Sequence, residues 1–257
     1  MELLDTALGR AHAPRRLALR LLRIGMHLAG GFAVATLMFP FASPAARLGH
    51  AGRWARRTIG GLGVRLQVEG AAVAPGALLV ANHVSWLDIL AIASHAPAVF
   101  VAKEEVRGWP VIGWLATRAG TLFLRRTSGR SLLRVKNGIA ARLLAGRTVA
   151  IFPEGTTTDG SGVLPFRSGL LQAALDSGRP VQPVAIAYRG EDGGRSAAAA
   201  FTGAMNLWQS IGEILRSPRI TLHLTVAAPL APAGRTRKEL AGAAQRAITT
   251  TLASPTA

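Results

Sequence analysis

Short apolar runs bounded by glycine and proline alternate along most of this chain with longer stretches in which apolar residues recur every three or four positions. The first pattern marks buried strands and the second helices, and their alternation predicts an α/β domain. Strands are predicted at 64–69, 77–81, 99–102, 121–124, 148–152, 181–188 and 220–226, and helices at 86–94, 128–144, 168–176 and 238–252. Pro110 and Gly113 interrupt the spacing between 103 and 119, which predicts two short helical pieces there. The Ala/Gly-rich segment 190–200 is expected to be a mobile loop, and 254–257 a frayed end.

The first sixty or so residues follow a different pattern. Arg10, Arg15, Arg16, Arg20 and Arg23 stand among leucines, a basic amphipathic pattern suited to an anionic membrane surface. Residues 24–46 then carry no charge, only His27, before Arg47, Arg53, Arg56 and Arg57 restore it. A helix over 24–39 spans about 24 Å at 1.5 Å per residue, short of the roughly 30 Å hydrocarbon core. Basic residues on both flanks favour the same anionic face. The expected arrangement is therefore monotopic: a helix to about Phe39, a bend near Pro40 and Pro44, and a second basic helix to about Ile59. Gly60-Gly61-Leu62-Gly63 reads as a hinge, dividing an anchoring segment at 1–60 from a domain at 61–257.

Composition sharpens this picture at two points. The 257 residues are 49% hydrophobic yet carry a formal net charge of +17, so the surface calls for an anionic partner. Nucleic acid and anionic lipid both qualify, but single-strand binders stack bases on aromatic residues, and one tyrosine in the whole chain favours lipid. Nearly all the cations are arginine, the lysines being Lys103, Lys136 and Lys238. With no cysteine in the chain, a disulfide scaffold, thiolate metal sites and a cysteine nucleophile are excluded. The six histidines show no spacing suited to a metal cluster, so no metal or cofactor is expected.

Candidate chemistry gathers where strands end. The run 77–81 delivers Asn82 and His83, with Asp88 five residues after the histidine, just inside the next helix. Ser85-x-x-Asp88 fits a capping box, which accounts for Ser85 but leaves Asn82-His83 unexplained. An imidazole at a strand end with a carboxylate one turn away suits a base whose tautomer an acid fixes. A second block, Phe152-Pro153-Glu154-Gly155-Thr156-Thr157-Thr158-Asp159-Gly160, also follows a strand, and a third strand ends in Arg125 and Arg126, downstream of Lys103. Without a cysteine or a Gly-x-Ser-x-Gly elbow, a covalent intermediate finds no carrier.

Taken in order, these blocks resemble the glycerolipid acyltransferase family, which includes the 1-acylglycerol-3-phosphate acyltransferases. Asn82, His83 and Asp88 match the first family motif; Gly120, Phe123 and Arg126 the second; Phe152 to Thr156 the third; and Val181, Pro183 and Val184 the fourth. The resemblance covers about 64–190. It departs from the pattern at Arg125, where an acidic residue is frequent, and at Thr157, where an arginine often stands. Phe-Pro-Glu-Gly-Thr-Thr followed by Asp159-Gly160 is more similar to the lyso-ornithine lipid acyltransferase branch.

The resemblance implies a mixed sheet flanked by helices, preceded by a membrane-associated helical hairpin, and transfer of an acyl group from acyl-CoA or acyl carrier protein to a lysolipid. It implies His83 and Asp88 as the catalytic pair and Asn82, Ser85, Lys103, Arg126, Glu154, Gly155 and Thr156 as substrate-binding, with a solvated basic face as the alternative for the arginines. The leading acceptor is 1-acylglycerol 3-phosphate, with lyso-ornithine lipid or another lysolipid as the alternative, and a non-catalytic lipid-binding protein as the rival from another class. Membrane lipid is the expected partner and nucleic acid is not, the site is expected at the cytoplasmic face of the inner membrane, and the oligomeric state is left open.

Overall fold

Ser43 and Pro44 start a helix as the sequence rules expect: the serine hydroxyl accepts the Ala46 N–H at 3.2 Å and proline occupies the first turn. The computed structural model describes residues 2–254, with side chains from Ala18 on. Arg10, Arg15 and Arg16 therefore lie outside the described side chains, and 255–257 outside the described residues. Helix α1 (Glu2–Leu37) and helix α2 (Pro44–Gly61) are joined through 38–43, the bend expected near the two prolines. The indole of Trp54 donates to the His27 carbonyl at 2.7 Å and latches the two arms together.

Helix α2 is also part of the globular body. Its Leu48 belongs to the core on one sheet face, while Ile59 and the following Leu62 belong to the core on the other. The hinge expected at 60–63 is a packed turn instead: Gly61 and Leu62 are buried, and Gly63 takes φ +80° to lead into the first strand. Glycine there avoids the strain that a side chain would meet in the left-handed region.

Seven strands form one sheet in the order β1-β7-β6-β2-β5-β3-β4. They are β1 (Val64–Gly70), β2 (Leu78–Ala81), β3 (Ala98–Lys103), β4 (Leu122–Leu124), β5 (Thr148–Ile151), β6 (Val181–Arg189) and β7 (Ile220–Val226). Pairings are parallel except β6 with β7, so the sheet is mixed, as expected. Every residue of β2 is buried, and the two faces divide by alternation, with Leu79 and Ala81 packing into one core and Leu78 and Val80 into the other.

Helices cover both faces. On one side α3 (Leu87–His95) and α7 (Leu207–Arg216) contribute Leu87, Ile92, Ile214 and Leu215; on the other α5 (Gly129–Leu144), α6 (Gln172–Ser177) and α8 (Arg237–Ala253) contribute Ile139, Leu143, Ala174, Leu240 and Ala244. The short helix α4 (Ile112–Arg118) follows a 3-10 turn at Glu104–Gly108, the two pieces anticipated around Pro110, although Gly113 lies within α4 and does not break it. The helix expected at 168–176 opens as a 3-10 turn, Ser168–Leu171, before α6 begins.

Two expectations are corrected. Helix α7 was not anticipated: it starts on a capping box between Asn206 and Gln209, with Trp208 left 75% exposed. The segment 190–200 is not a free loop. Its Arg195 forms a bridge with Arg189 at the end of β6, the Ser196 N–H donates to the Tyr188 carbonyl at 2.9 Å, and Ala199 and Ala200 enter the core. Parallel pairing places the carboxyl ends of β2, β5, β6, β3 and β4 along one edge, where open α/β sheets hold ligands.

The α2–α3 contact supplies a test. A Cβ added at Gly52 meets the Ala93 carbonyl at 2.6 Å, with backbone on both sides and nothing flexible to yield. Gly52→Ala is expected to destabilise the protein by about 1–3 kcal/mol, an overpacking cost, and to lower the melting temperature by roughly 2–4 °C for each kcal/mol. An unchanged melt would mean that α2 does not bear on the globular body.

Candidate active site

At the end of β2 the backbone ladder to β6 is continued by a side chain. The Asn82 amide donates to the Ile186 carbonyl at 2.9 Å and accepts the Ile186 N–H at 2.8 Å. The main chain is thereby released from pairing while remaining anchored, and His83 is the next residue in the turn. Ser85 does not cap α3, as its spacing suggested. The residue preceding the helix is Trp86, and the Ser85 hydroxyl is buried and accepts from Leu87 N–H at 3.4 Å.

Asp88 organises the turn. Its carboxylate is fully buried, and Oδ2 meets His83 Nδ1 at 2.8 Å, Val84 N–H at 2.8 Å and Ser85 N–H at 2.9 Å, while Oδ1 accepts the Tyr188 hydroxyl at 2.5 Å. A carboxylate only accepts, so Nδ1 is the protonated ring nitrogen and Nε2 carries the free lone pair. The Phe152 ring stacks on the imidazole, with centroids 3.9 Å apart and planes at 15°. His83 keeps 18% of its side chain exposed, so a fixed base is open to a ligand.

Glu154 ties the second block to the first. Oε1 accepts His83 N–H at 2.7 Å and Oε2 accepts Leu164 N–H at 2.9 Å. Burial raises its carboxyl above the usual carboxylate range, against the pull of those two N–H donors. The native state therefore takes up this proton before the unfolded chain does as pH falls, and keeping the anion buried costs stability above that range.

Beside it, Gly155 lies at φ +78°, and a Cβ there would come within 3.4 Å of Arg126 Nη2 and 3.5 Å of Arg167 Nε. Two guanidinium groups thus converge over one glycine. Partial burial and then the charge of Arg167 hold Arg126 below its ordinary value, with Glu105 opposing.

The structure brings His83, Asp88, Glu154, Gly155 and Arg126 into one site. Lys103 ends β3 on the same sheet edge, beside Leu124, and is exposed, as is Thr156. Asn82, Ser85 and Glu154 were expected to contact substrate; they are buried, and their polar atoms bond the protein's own groups around the turn that carries His83.

Tyr188, Arg167 and the stacking role of Phe152 were not foreseen. Tyr188 had one available signal, as the chain's single tyrosine on the strand that opens with Val181-x-Pro183-Val184. Thr157, where the family pattern often has arginine, is turned inward and donates its hydroxyl to the Phe201 carbonyl.

A family model described as Acyltransferase matches residues 65–187. A lyso-ornithine lipid O-acyltransferase of Pseudomonas aeruginosa is 45% identical over 195 residues, 76% of this chain and 75% of that one. The chain belongs to the glycerolipid acyltransferase family. It is also 38% identical to a 1-acyl-sn-glycerol-3-phosphate acyltransferase of Neisseria meningitidis over 149 residues, 58% of each chain. The crystal structure of the 1-acyl-sn-glycerophosphate acyltransferase of Thermotoga maritima shares its fold, with a TM-score of 0.66 over 95% of this chain and 98% of that one at 24% identity. The protein is thus an O-acyltransferase acting on lysolipids.

For this acyltransferase the pair His83–Asp88 generates a prediction. His83→Ala is expected to abolish acyl transfer in a protein that still folds, at a cost of about 1.5–3 kcal/mol for the donor lost to the buried Asp88 carboxylate. Asp88→Asn keeps the size but presents an N–H₂ to donors, and should lower turnover by roughly a hundredfold or more, the usual worth of a positioned acid-base group. Tyr188→Phe, which removes a charge-assisted bond to a buried carboxylate, should cost about 1.5–3 kcal/mol of stability. Turnover at saturating substrates beside a thermal melt checks all three, and near-native turnover in His83→Ala would end the role of this histidine as base.

Proposed function

We propose that the protein transfers a fatty acyl group from an acyl thioester directly to the free hydroxyl of a membrane lysolipid with an amino-acid head group, of the lyso-ornithine lipid type. The observation that carries the chemistry is the 2.8 Å bond from His83 Nδ1 to Asp88, which leaves Nε2 as the base. Nε2 takes the acceptor's hydroxyl proton as its oxygen attacks the thioester carbonyl, Asp88 stabilises the imidazolium, and the proton passes to the departing thiolate. The Arg126–Arg167 pair is placed to hold an anionic group of donor or acceptor. The acceptor class is favoured by the 45% identity to the Pseudomonas enzyme and by Thr157, which leaves no cation at that position for a phosphomonoester.

A second reading, 1-acylglycerol 3-phosphate as acceptor, draws on that same arginine pair, since two guanidiniums suit a phosphate equally well. Acyl-CoA and acyl carrier protein both remain candidate donors because both are anionic.

The site belongs, on this proposal, at the cytoplasmic face of the inner membrane, with the segment at 1–60 as a monotopic anchor. The apolar stretch is longer than the spacing suggested: Ala18–Leu37, 20 residues, is long and apolar enough to cross a bilayer by length and composition. Its near end is nevertheless tied to the globular body, where the Arg20 guanidinium donates to the carbonyls of Leu215 at 2.7 Å and Ser217 at 2.9 Å. Leu22, Met26, Leu37 and Phe41 stay exposed on the hairpin, while the Phe32 ring packs on Trp114 of α4. A helix held along the body with an apolar outer face suits the interface better than a span.

The test is an acceptor and donor screen on the purified full chain in lipid vesicles, read by mass spectrometry. Acylated ornithine lipid should form faster than phosphatidic acid. The reverse order would support the phosphate reading instead, and no thiol release with any pair would leave a lipid-binding protein without this activity.

A further inference from the structure

Beyond the catalytic pair, a cavity of about 450 Å³ opens at the carboxyl end of β6, between the 159–163 loop, the 187–196 segment and the last turns of α8. That volume lies in the range of small-molecule sites. Its walls join it to the catalytic turn: Val84 follows His83, and Tyr188 holds Asp88 through its hydroxyl. Thr158 N–H donates to the His83 carbonyl at 2.8 Å, so the 159–163 loop also starts from the catalytic turn.

The walls carry charge of both signs beside apolar side chains. Arg189 and Arg195 supply guanidinium groups. Opposite in sign are the Asp159 carboxylate and the carbonyl end of α8, where Thr249, Leu252 and Ala253 face the cavity and the last turn has no basic residue to offset the helix dipole. Arg195 and Asp159 meet at 2.7 Å. Ser161 and Arg195 keep the Asp159 carboxyl down to about 2, so it is anionic at any working pH. A bare phosphomonoester would meet the Asp159 carboxylate as well as the two guanidiniums, whereas a group with charges of both signs answers each of them, and the apolar walls at Val84, Val163 and Leu252 are left to its carbon skeleton.

We propose that this cavity binds the zwitterionic head group of the acceptor, an amino acid joined to its acyl chain through the α-amine, which keeps a free carboxylate and a side-chain ammonium. The carboxylate pairs with Arg195, and the ammonium lies between Asp159 and the carbonyl end of α8. Head-group recognition is thereby separated from the Arg126–Arg167 pair, which is left to the anionic thioester donor. This inference rests on the acceptor reading given above, and it makes Arg195 and Asp159 specificity-determining residues outside the reacting atoms.

The experiment uses the full chain in vesicles, with lyso-ornithine lipid and 1-acylglycerol 3-phosphate as alternative acceptors. Arg195→Gln is expected to raise KM for lyso-ornithine lipid by roughly 10- to 100-fold, the range for one charge-assisted contact, with kcat nearly unchanged. Asp159→Asn should weaken the same acceptor and improve use of the phosphate acceptor. The double variant Arg195→Asp with Asp159→Arg restores the ion pair with its polarity reversed. Recovery of KM in that double variant would show a merely structural pair and overturn the proposal, whereas a persistent KM defect supports it. Nα-acetylornithine should inhibit the wild type competitively against the acceptor and lose that effect in Arg195→Gln. If wild-type protein acylates lyso-ornithine lipid but Arg195→Gln leaves its KM unchanged, the cavity assignment fails alone; if no lyso-ornithine lipid is acylated, the acceptor reading fails and takes this one with it.

Discussion

A buried carboxylate sets the terms for the rest of the structure. Asp88 has no contact with solvent, and an ion so placed is tolerated only when donors replace its lost hydration. It receives one from the imidazole, two from the backbone of its own turn and one from Tyr188, a hundred residues away on β6. Burial and the Asp88 charge together hold the Tyr188 hydroxyl well above its usual range, so it remains a donor. The backbone between β2 and α3 must therefore curl so that Val84 and Ser85 both point their N–H groups at one oxygen. That curl is what presents His83.

Around this centre, side chains repeatedly take over work that backbone pairing does elsewhere in the sheet. Asn82 completes the ladder to β6 through its amide, and Glu154 bridges the end of β2 to Leu164 through its two oxygens. The slanted bonds of a parallel ladder join two extended strands and cannot turn a corner, whereas a carboxylate or amide can accept along a second direction. The strand ends thus splay enough to admit a ligand without leaving buried polar groups unsatisfied.

Much of this was legible because the pattern is local. An apolar run, a polar break and a resumed helical period lie within a dozen residues around His83, and Asp88 reaches it across a single helical turn. The seven strands were readable from short runs between glycines and prolines, most plainly at the centre of the sheet, where β2, β5 and β6 are buried on both faces. Contacts made across the fold were not readable. Nothing near Tyr188 in the chain announces Asp88, and Arg167 meets Arg126 only because the segment after Glu154 folds back. Helix α7 escaped because its burial rests on few residues, Ser210, Ile214 and Leu215. The segment 190–200 looked free by composition, yet small residues are also what allows a chain to pack closely into a core.

The bonds from Arg20 to the end of α7 have a further consequence for how the enzyme meets its substrates. That arginine ties α1 to the last turn of α7 and the connection to β7, and α2 packs into the cores on both sheet faces, so the hairpin is held against the sheet. With the hairpin lying in lipid as proposed, the height of the catalytic edge above the acyl chains is set by the fold itself. The acceptor then arrives by diffusion in two dimensions and the donor in three. Saturation by the lysolipid follows its mole fraction in the bilayer, so diluting the membrane with inert lipid slows the enzyme even when total lysolipid in the vessel is held constant.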